Sequence, residues 1–172
     1  MNHPLTQIWI HAIWSPHDRM PLIKKSFRPQ LDTFLKYKLQ EAGCPVRIIN
    51  GTVDHMHALF QLHHEKPLTR LMDHIKEASS RWMNQQHFLH MPFSWEPGYC
   101  ALAVSGSMVA RVEAFIRDQA LLHQKMTFAQ EYRQFLTKCG FIENGWMPAE
   151  IGKHKTPVPV TAREIEWESP SP

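Results

Sequence analysis

Between Pro45 and Leu62 the chain carries two β-like runs, Pro45–Val53 and His55–Leu62, parted by only a few polar residues around Asp54. So short a connection forces the two strands to pair antiparallel, because a parallel crossover needs about a dozen residues or more. The second run opens as Asp54-His55-Met56-His57-Ala58-Leu59-Phe60. Alternate side chains of a strand face one way, so His55 and His57 project together while Met56 turns to the opposite face. Such a pair is a two-point clamp for a metal ion. Among 12 histidines it is also what chance produces, and spacing alone leaves both readings open.

The surrounding pattern sets the fold. Gln7 to Ser15 alternates, with Ile8, Ile10 and Ala12 on one face and Trp9, His11 and Ile13 on the other, as in a well-buried strand. Phe27, Leu31, Phe34, Leu35 and Leu39 recur at helical spacing over Phe27–Glu41, a helix with a basic outer face that Gly43 caps. Pro67 opens a second helix through Leu68, Leu71, Met72, Ile75 and Trp82, whose polar side carries Arg70, Lys76, Ser79, Ser80 and Arg81. Phe93–Val104 reads as a fourth strand, bent or edged at Pro97-Gly98. Ser105-Gly106-Ser107 offers capping oxygens to a third helix, Met108–Gln124, and Phe128–Lys138 forms a short last one that ends at Gly140. The order strand, helix, strand, strand, helix, strand, helix, helix predicts an α+β ferredoxin-like, or RRM-like, antiparallel sheet with helices packed on one face, plus C-terminal helices.

Length and composition are those of one globular domain: 172 residues, 43% hydrophobic. The expected division is a domain over 1–140 and a tail over 141–172, extended or partly disordered and including Asn144-Gly145-Trp146. No run has the length of a membrane span and Met1–Pro16 has no leader character, so no membrane partner and a cytoplasmic location are expected. Cys44, Cys100 and Cys139 fit neither a disulfide framework nor a cysteine-based zinc site. A formal charge of +3 permits a nucleic-acid partner without demanding one.

In the third helix Val112, Phe115, Ile116 and Gln119 fall on one stripe, which places Gln119 one turn beyond Phe115 on a face directed at the sheet. A buried amide without a partner costs about 1–3 kcal/mol, so Gln119 either lies at the rim or has its oxygen in use.

Further stretches join these: His11-Ala12-Ile13-Trp14 with Arg19-Met20-Pro21-Leu22, Asn50-Gly51-Thr52-Val53-Asp54-His55-Met56-His57, Ile75 to Trp82, Trp95-Glu96-Pro97-Gly98-Tyr99, Phe115-Ile116-Arg117-Asp118-Gln119, and Phe128 to Leu136. In this order they resemble the small single-tyrosine HUH transposases of bacterial insertion sequences, the IS200-like family, from about Ile8 to Gly140. The resemblance implies that His55, His57 and Gln119 hold a divalent ion, Mg²⁺ or Mn²⁺, that polarises a scissile phosphodiester. It implies a homodimer acting on single-stranded DNA with hairpins at element ends. It also implies a nucleophilic tyrosine one helical turn before the glutamine, and that position is Phe115. A phenyl ring cannot attack phosphorus, so this chain is expected to be cleavage-defective in DNA transposition. An engineered replacement, a domesticated hairpin-binding copy, and substitution by Tyr37, Tyr99 or Tyr132 are the alternatives.

Lys24, Lys25 and Arg28, with Lys36 and Lys38, form either a phosphate-contacting face or an ordinary solvated one. Lys76 and Arg81, inside a matched stretch, are further DNA-binding candidates. A water-using metal hydrolase is a third reading, with Asp54 as base or as a group orienting a histidine.

Overall fold

A computed structural model describes residues 5–138 and 140. Four strands, β1 (Ile8–Trp14), β2 (Val46–Gly51), β3 (Met56–Leu62) and β4 (Cys100–Val104), form one antiparallel sheet in the order β2-β3-β1-β4. Helix α1 (Arg28–Glu41) connects β1 to β2, and α2 (Leu68–Gln85) connects β3 to β4. This is the predicted ferredoxin-like order. Ile10, Ala12 and Trp14 of β1 join Met56, Ala58 and Phe60 of β3 and the inner faces of α1 and α2 in the main core. Gly43, at φ +74°, closes α1, in a left-handed geometry that glycine adopts freely.

The other sheet face is covered too, by α3 (Val109–Arg117), α4 (Gln119–Leu122) and α5 (Phe128–Lys138). Val112 and Ile116 pack on Leu59, while Phe128, Tyr132, Phe135 and Leu136 pack on Ile13 and Cys100. The polar cluster of the next section lies on this face.

Several sequence expectations need correction. The strand expected over Phe93–Val104 is regular only from Cys100; before it, Trp95 makes a lone bridge to Pro16, and Asn84 holds both the N–H and the carbonyl of Phe93. The helix expected over Met108–Gln124 breaks at Asp118, because the Asn50 amide donates to the carbonyls of Ile116 and Arg117 at 2.8 and 3.1 Å. Ser105 and Ser107 bond each other rather than capping α3. Pro67 sits just before α2 in extended conformation, not inside its first turn. Lys76 and Ser79 are not on the polar side of α2: both are buried, Lys76 Nζ donating to the carbonyls of Pro97 and Gly98 and Ser79 accepting from the Trp95 indole.

The expected tail over 141–172 lies outside the described residues, as does Cys139. Cys44 and Cys100 are buried in different clusters. No helix among the described residues is long and apolar enough to cross a membrane.

Gly51 ends β2 where the chain turns back toward β3. A Cβ there would stand 2.3 Å from the His55 carbonyl oxygen and 2.9 Å from Met56 Sδ. Gly51→Ala is therefore expected to cost about 1–3 kcal/mol through forced backbone displacement, whereas Gly106→Ala, with only Gln7 Oε1 nearby at 3.8 Å, is expected to be near neutral. Urea unfolding of the two variants checks the contrast.

Candidate metal centre

His57 lies on β3, and His55 occupies the turn just before the strand. Both are fully buried, with ring centroids 4.9 Å apart. The turn is shaped by its own side chains: Thr52 Oγ1 donates to Asp54 Oδ1 at 2.7 Å, and the same oxygen lies 2.8 Å from His55 Nδ1. Burial raises the Asp54 carboxyl, but the hydrogen bonds from His55 and Thr52 outweigh it and hold the group below its ordinary value. An ionised Asp54 keeps the His55 proton on Nδ1. The Nε2 electron pair then faces inward, as metal-binding histidines are usually arranged.

His57 has a different partner at the same ring nitrogen. Its Nδ1 lies 3.0 Å from Nε2 of His11, a fully buried residue of β1. Burial pushes His11 down to about 3, and burial followed by the charges of the neighbouring histidines holds His57 well below its ordinary value. Both rings are neutral near pH 7, the state in which imidazole ligates metal.

Three segments close around the inward nitrogens. From α4, Gln119 is fully buried, its Oε1 standing 3.1 Å from His55 Nε2 and its Nε2 donating to Glu131 Oε1 at 2.8 Å. From α5, Glu131 places Oε2 3.5 Å from His55 Nε2 and Oε1 3.6 Å from His57 Nε2. His123, between the two helices, points Nε2 at Gln119 Oε1. His57 Nε2 and Glu131 Oε2 are buried with no hydrogen bond among the described residues, although His123 Nε2 stands 2.8 Å from that carboxylate oxygen.

The donor set fits a cation. Bonds of about 2.0–2.2 Å to an ion put neighbouring ligand atoms roughly 2.9–3.6 Å apart, the range spanned by the contacts at 3.1, 3.5 and 3.6 Å. His55, His57 and Glu131 form the compact ligand group, with Gln119 beside it. The sequence pairing of His55, His57 and Gln119 thus reappears in space.

Phe115 is also here, its ring 5.9 Å from that of His57 and 6.2 Å from that of His11. Of the tyrosines, Tyr37 donates its hydroxyl to Glu41 and Tyr99 to Thr69. Tyr132 is buried in the apolar cluster under α5, which pushes its hydroxyl above the ordinary value.

The basic candidates do not converge on the cluster. Lys24 and Lys25 are exposed ahead of α1, and Arg28 donates to the Gly51 carbonyl at 2.7 Å. Arg81 is exposed and pairs with Glu77. Lys76 is a buried loop anchor rather than a surface cation. Arg19 was not foreseen; its guanidinium lies over the rings of Phe128 and Tyr132, at 5.7 and 5.5 Å, on the same stack that covers His55. Glu131, His123 and His11 were likewise missed as site residues. His11 and Glu131 do lie inside matched stretches, and His123 stands four positions beyond Gln119.

The model of a family described as "Transposase IS200 like" matches residues 4–119. Among solved structures, the chain is similar to a proposed transposase of Deinococcus radiodurans R1, with 22% identity and TM-score 0.57 over 69% of this chain and 95% of that one. It is also similar to a REP-associated tyrosine transposase solved bound to a REP hairpin, with 10% identity and TM-score 0.55 over 92% and 98% of the two chains. At those identities the likeness is one of fold. No curated protein matches significantly.

Phe128 stacks on His55 with centroids 3.9 Å apart and planes 7° from parallel, so α5 roofs the cluster. Phe128→Ala is expected to cost about 3–5 kcal/mol and to make His55 reactive toward diethylpyrocarbonate. Peptide mass spectrometry reads the modification site by site; a His55 that stays unreactive contradicts the covering role.

Proposed function

The chain belongs to the IS200-like transposase family, and we propose that it binds single-stranded DNA hairpins and holds a divalent ion, while lacking the nucleophile that would make a covalent joint to DNA. The family supports transposition as the ancestral activity. Hairpin binding is supported by the fold shared with a transposase that was solved with a hairpin bound.

The proposed ligands are His55, His57 and Glu131, with the Gln119 oxygen at hand. Two imidazoles and a carboxylate suit Mn²⁺ better than Mg²⁺, which favours an all-oxygen shell. Bound there, the ion would polarise a phosphodiester and offset charge on its oxygens. Asp54 orients His55, Glu131 also takes the Gln119 amide, and Phe128 keeps water from the cluster. Lys24, Lys25, Arg28 and Arg81 are proposed as dispersed phosphate contacts of a homodimer.

One observation carries the catalytic part of this reading: the ring at the family's nucleophile position stands beside His57 and is phenylalanine. With tyrosine there, the hydroxyl oxygen would lose its proton and bond to phosphorus as the bond from phosphorus to the 3′ oxygen of the upstream strand breaks, leaving that oxygen, protonated, as a 3′ hydroxyl and the downstream strand as a 5′-phosphotyrosine. Phe115 presents no oxygen. The same fact favours a second reading, a domesticated hairpin-binding protein that never cleaves.

Phe115→Tyr incubated with a labelled hairpin-bearing single strand and Mn²⁺ is expected to form a covalent adduct that the present chain does not, and adding His57→Ala is expected to abolish it. Hairpin binding without any adduct supports the domesticated reading. Metal binding is read separately: Mn²⁺ at roughly 100 times its Kd should stabilise the folded chain by about 2.7 kcal/mol, seen as a raised Tm that EDTA reverses, with a smaller rise for Mg²⁺ at equal concentration.

A further inference from the structure

His55 owes its orientation to an ionised carboxylate, but His57 owes its orientation to another histidine. That difference matters, because a neutral imidazole carries one proton and can act either as donor or as acceptor at a given nitrogen. His57 Nδ1 and His11 Nε2, 3.0 Å apart, share one proton between them. If the proton sits on His11, His57 must carry its own on Nε2, aimed at Glu131 Oε1 3.6 Å away, and that nitrogen cannot bind a cation. If it sits on His57 Nδ1, His11 Nε2 accepts it and the His57 Nε2 electron pair is open.

The second arrangement leaves His11 with its proton on Nδ1. That atom is buried and has no hydrogen-bond partner among the described residues. What surrounds His11 holds its plane rather than its proton: its ring lies edge to edge with that of His57, centroids 5.2 Å apart and planes 27° from parallel, and meets Phe115 and Phe135 edge-on at 6.2 and 5.5 Å. The packing thus keeps Nε2 on His57 at the expense of Nδ1.

We propose that His11 is a positioning residue for the metal site: by accepting the His57 Nδ1 proton it selects the tautomer and ring orientation in which His57 can bind a metal ion. This rests on the reading of His57 as a ligand. The role is specific to an acceptor at this place, so shape alone does not fulfil it. Loss of such an outer partner commonly weakens metal binding 10- to 100-fold.

Two variants separate the acceptor from the volume. His11→Leu fills the space without an acceptor, and His11→Gln places an amide oxygen near the position of Nε2. With Mn²⁺ as probe and isothermal titration as readout, His11→Leu is expected to bind about 10- to 100-fold more weakly than the parent chain, and His11→Gln to recover most of that loss. Equal affinity in His11→Leu, together with lost affinity in His57→Ala, overturns the role of His11 alone; unchanged affinity in His57→Ala overturns the metal reading with it. Should His11→Leu fail to fold, nitrogen-15 histidine spectra of the unsubstituted chain loaded with Zn²⁺ decide the matter. A proton on His57 Nδ1 with an unprotonated His11 Nε2 supports the proposal, and a protonated His11 Nε2 overturns it.

Discussion

At one end of this sheet the inward nitrogen of His55 and the side-chain oxygens of Gln119 and Glu131 converge, with His123 Nε2 3.1 Å from the Gln119 oxygen and 2.8 Å from one Glu131 oxygen. Asp54 and Thr52 hold the His55 proton on the outer nitrogen, so Nε2, Gln119 Oε1 and a Glu131 oxygen face one another as acceptors at 3.1 and 3.5 Å. In a buried, low-dielectric place such an arrangement is costly unless a cation or a proton stands among them. The neighbouring packing follows from keeping these groups together: Phe128 against His55, His11 against His57, and Asn50 on the carbonyls that end α3.

The two apolar clusters on this face are divided by the polar group. Leu59, Val112 and Ile116 anchor α3 on one side, and Ile13, Cys100 and the inner residues of α5 lie on the other. Each helix is held by burial of aliphatic and aromatic surface, which is strong and undirected. Its polar side chain is thereby set in place. The break at Asp118 lets α4 start afresh and brings Gln119 over the histidines, while α5 returns across β1 to supply Glu131.

Much of this was legible in the residues. Period-two alternation in Gln7–Ser15 assigned both faces of β1 correctly, because a strand buried on two sides still divides its side chains between them. The spacing of His55 and His57 and the stripe through Val112, Phe115, Ile116 and Gln119 brought four site residues within reach of one another. What failed depended on contacts between distant segments. Lys76 looked like a surface cation and is instead spent on the 97–98 carbonyls. Glu131 and His123 belong to helix and turn patterns that carry no sign of a ligand. His11 reads as one more residue of a buried strand; only the sheet register, which pairs Ile13 with His57, places it diagonally beside that histidine. Residue spacing reports local geometry, whereas hydrogen bonds across a sheet depend on register and helix docking that no local pattern encodes.

The central claim is that the inward nitrogens of His55 and His57 and a carboxylate oxygen of Glu131 bind one ion. Anomalous diffraction at the manganese edge, from crystals of the chain grown with Mn²⁺, tests it most directly. The account predicts one strong peak within about 2.0–2.3 Å of His55 Nε2, His57 Nε2 and a Glu131 oxygen. A peak elsewhere, or density at the cluster with no anomalous signal despite saturating Mn²⁺, would contradict it.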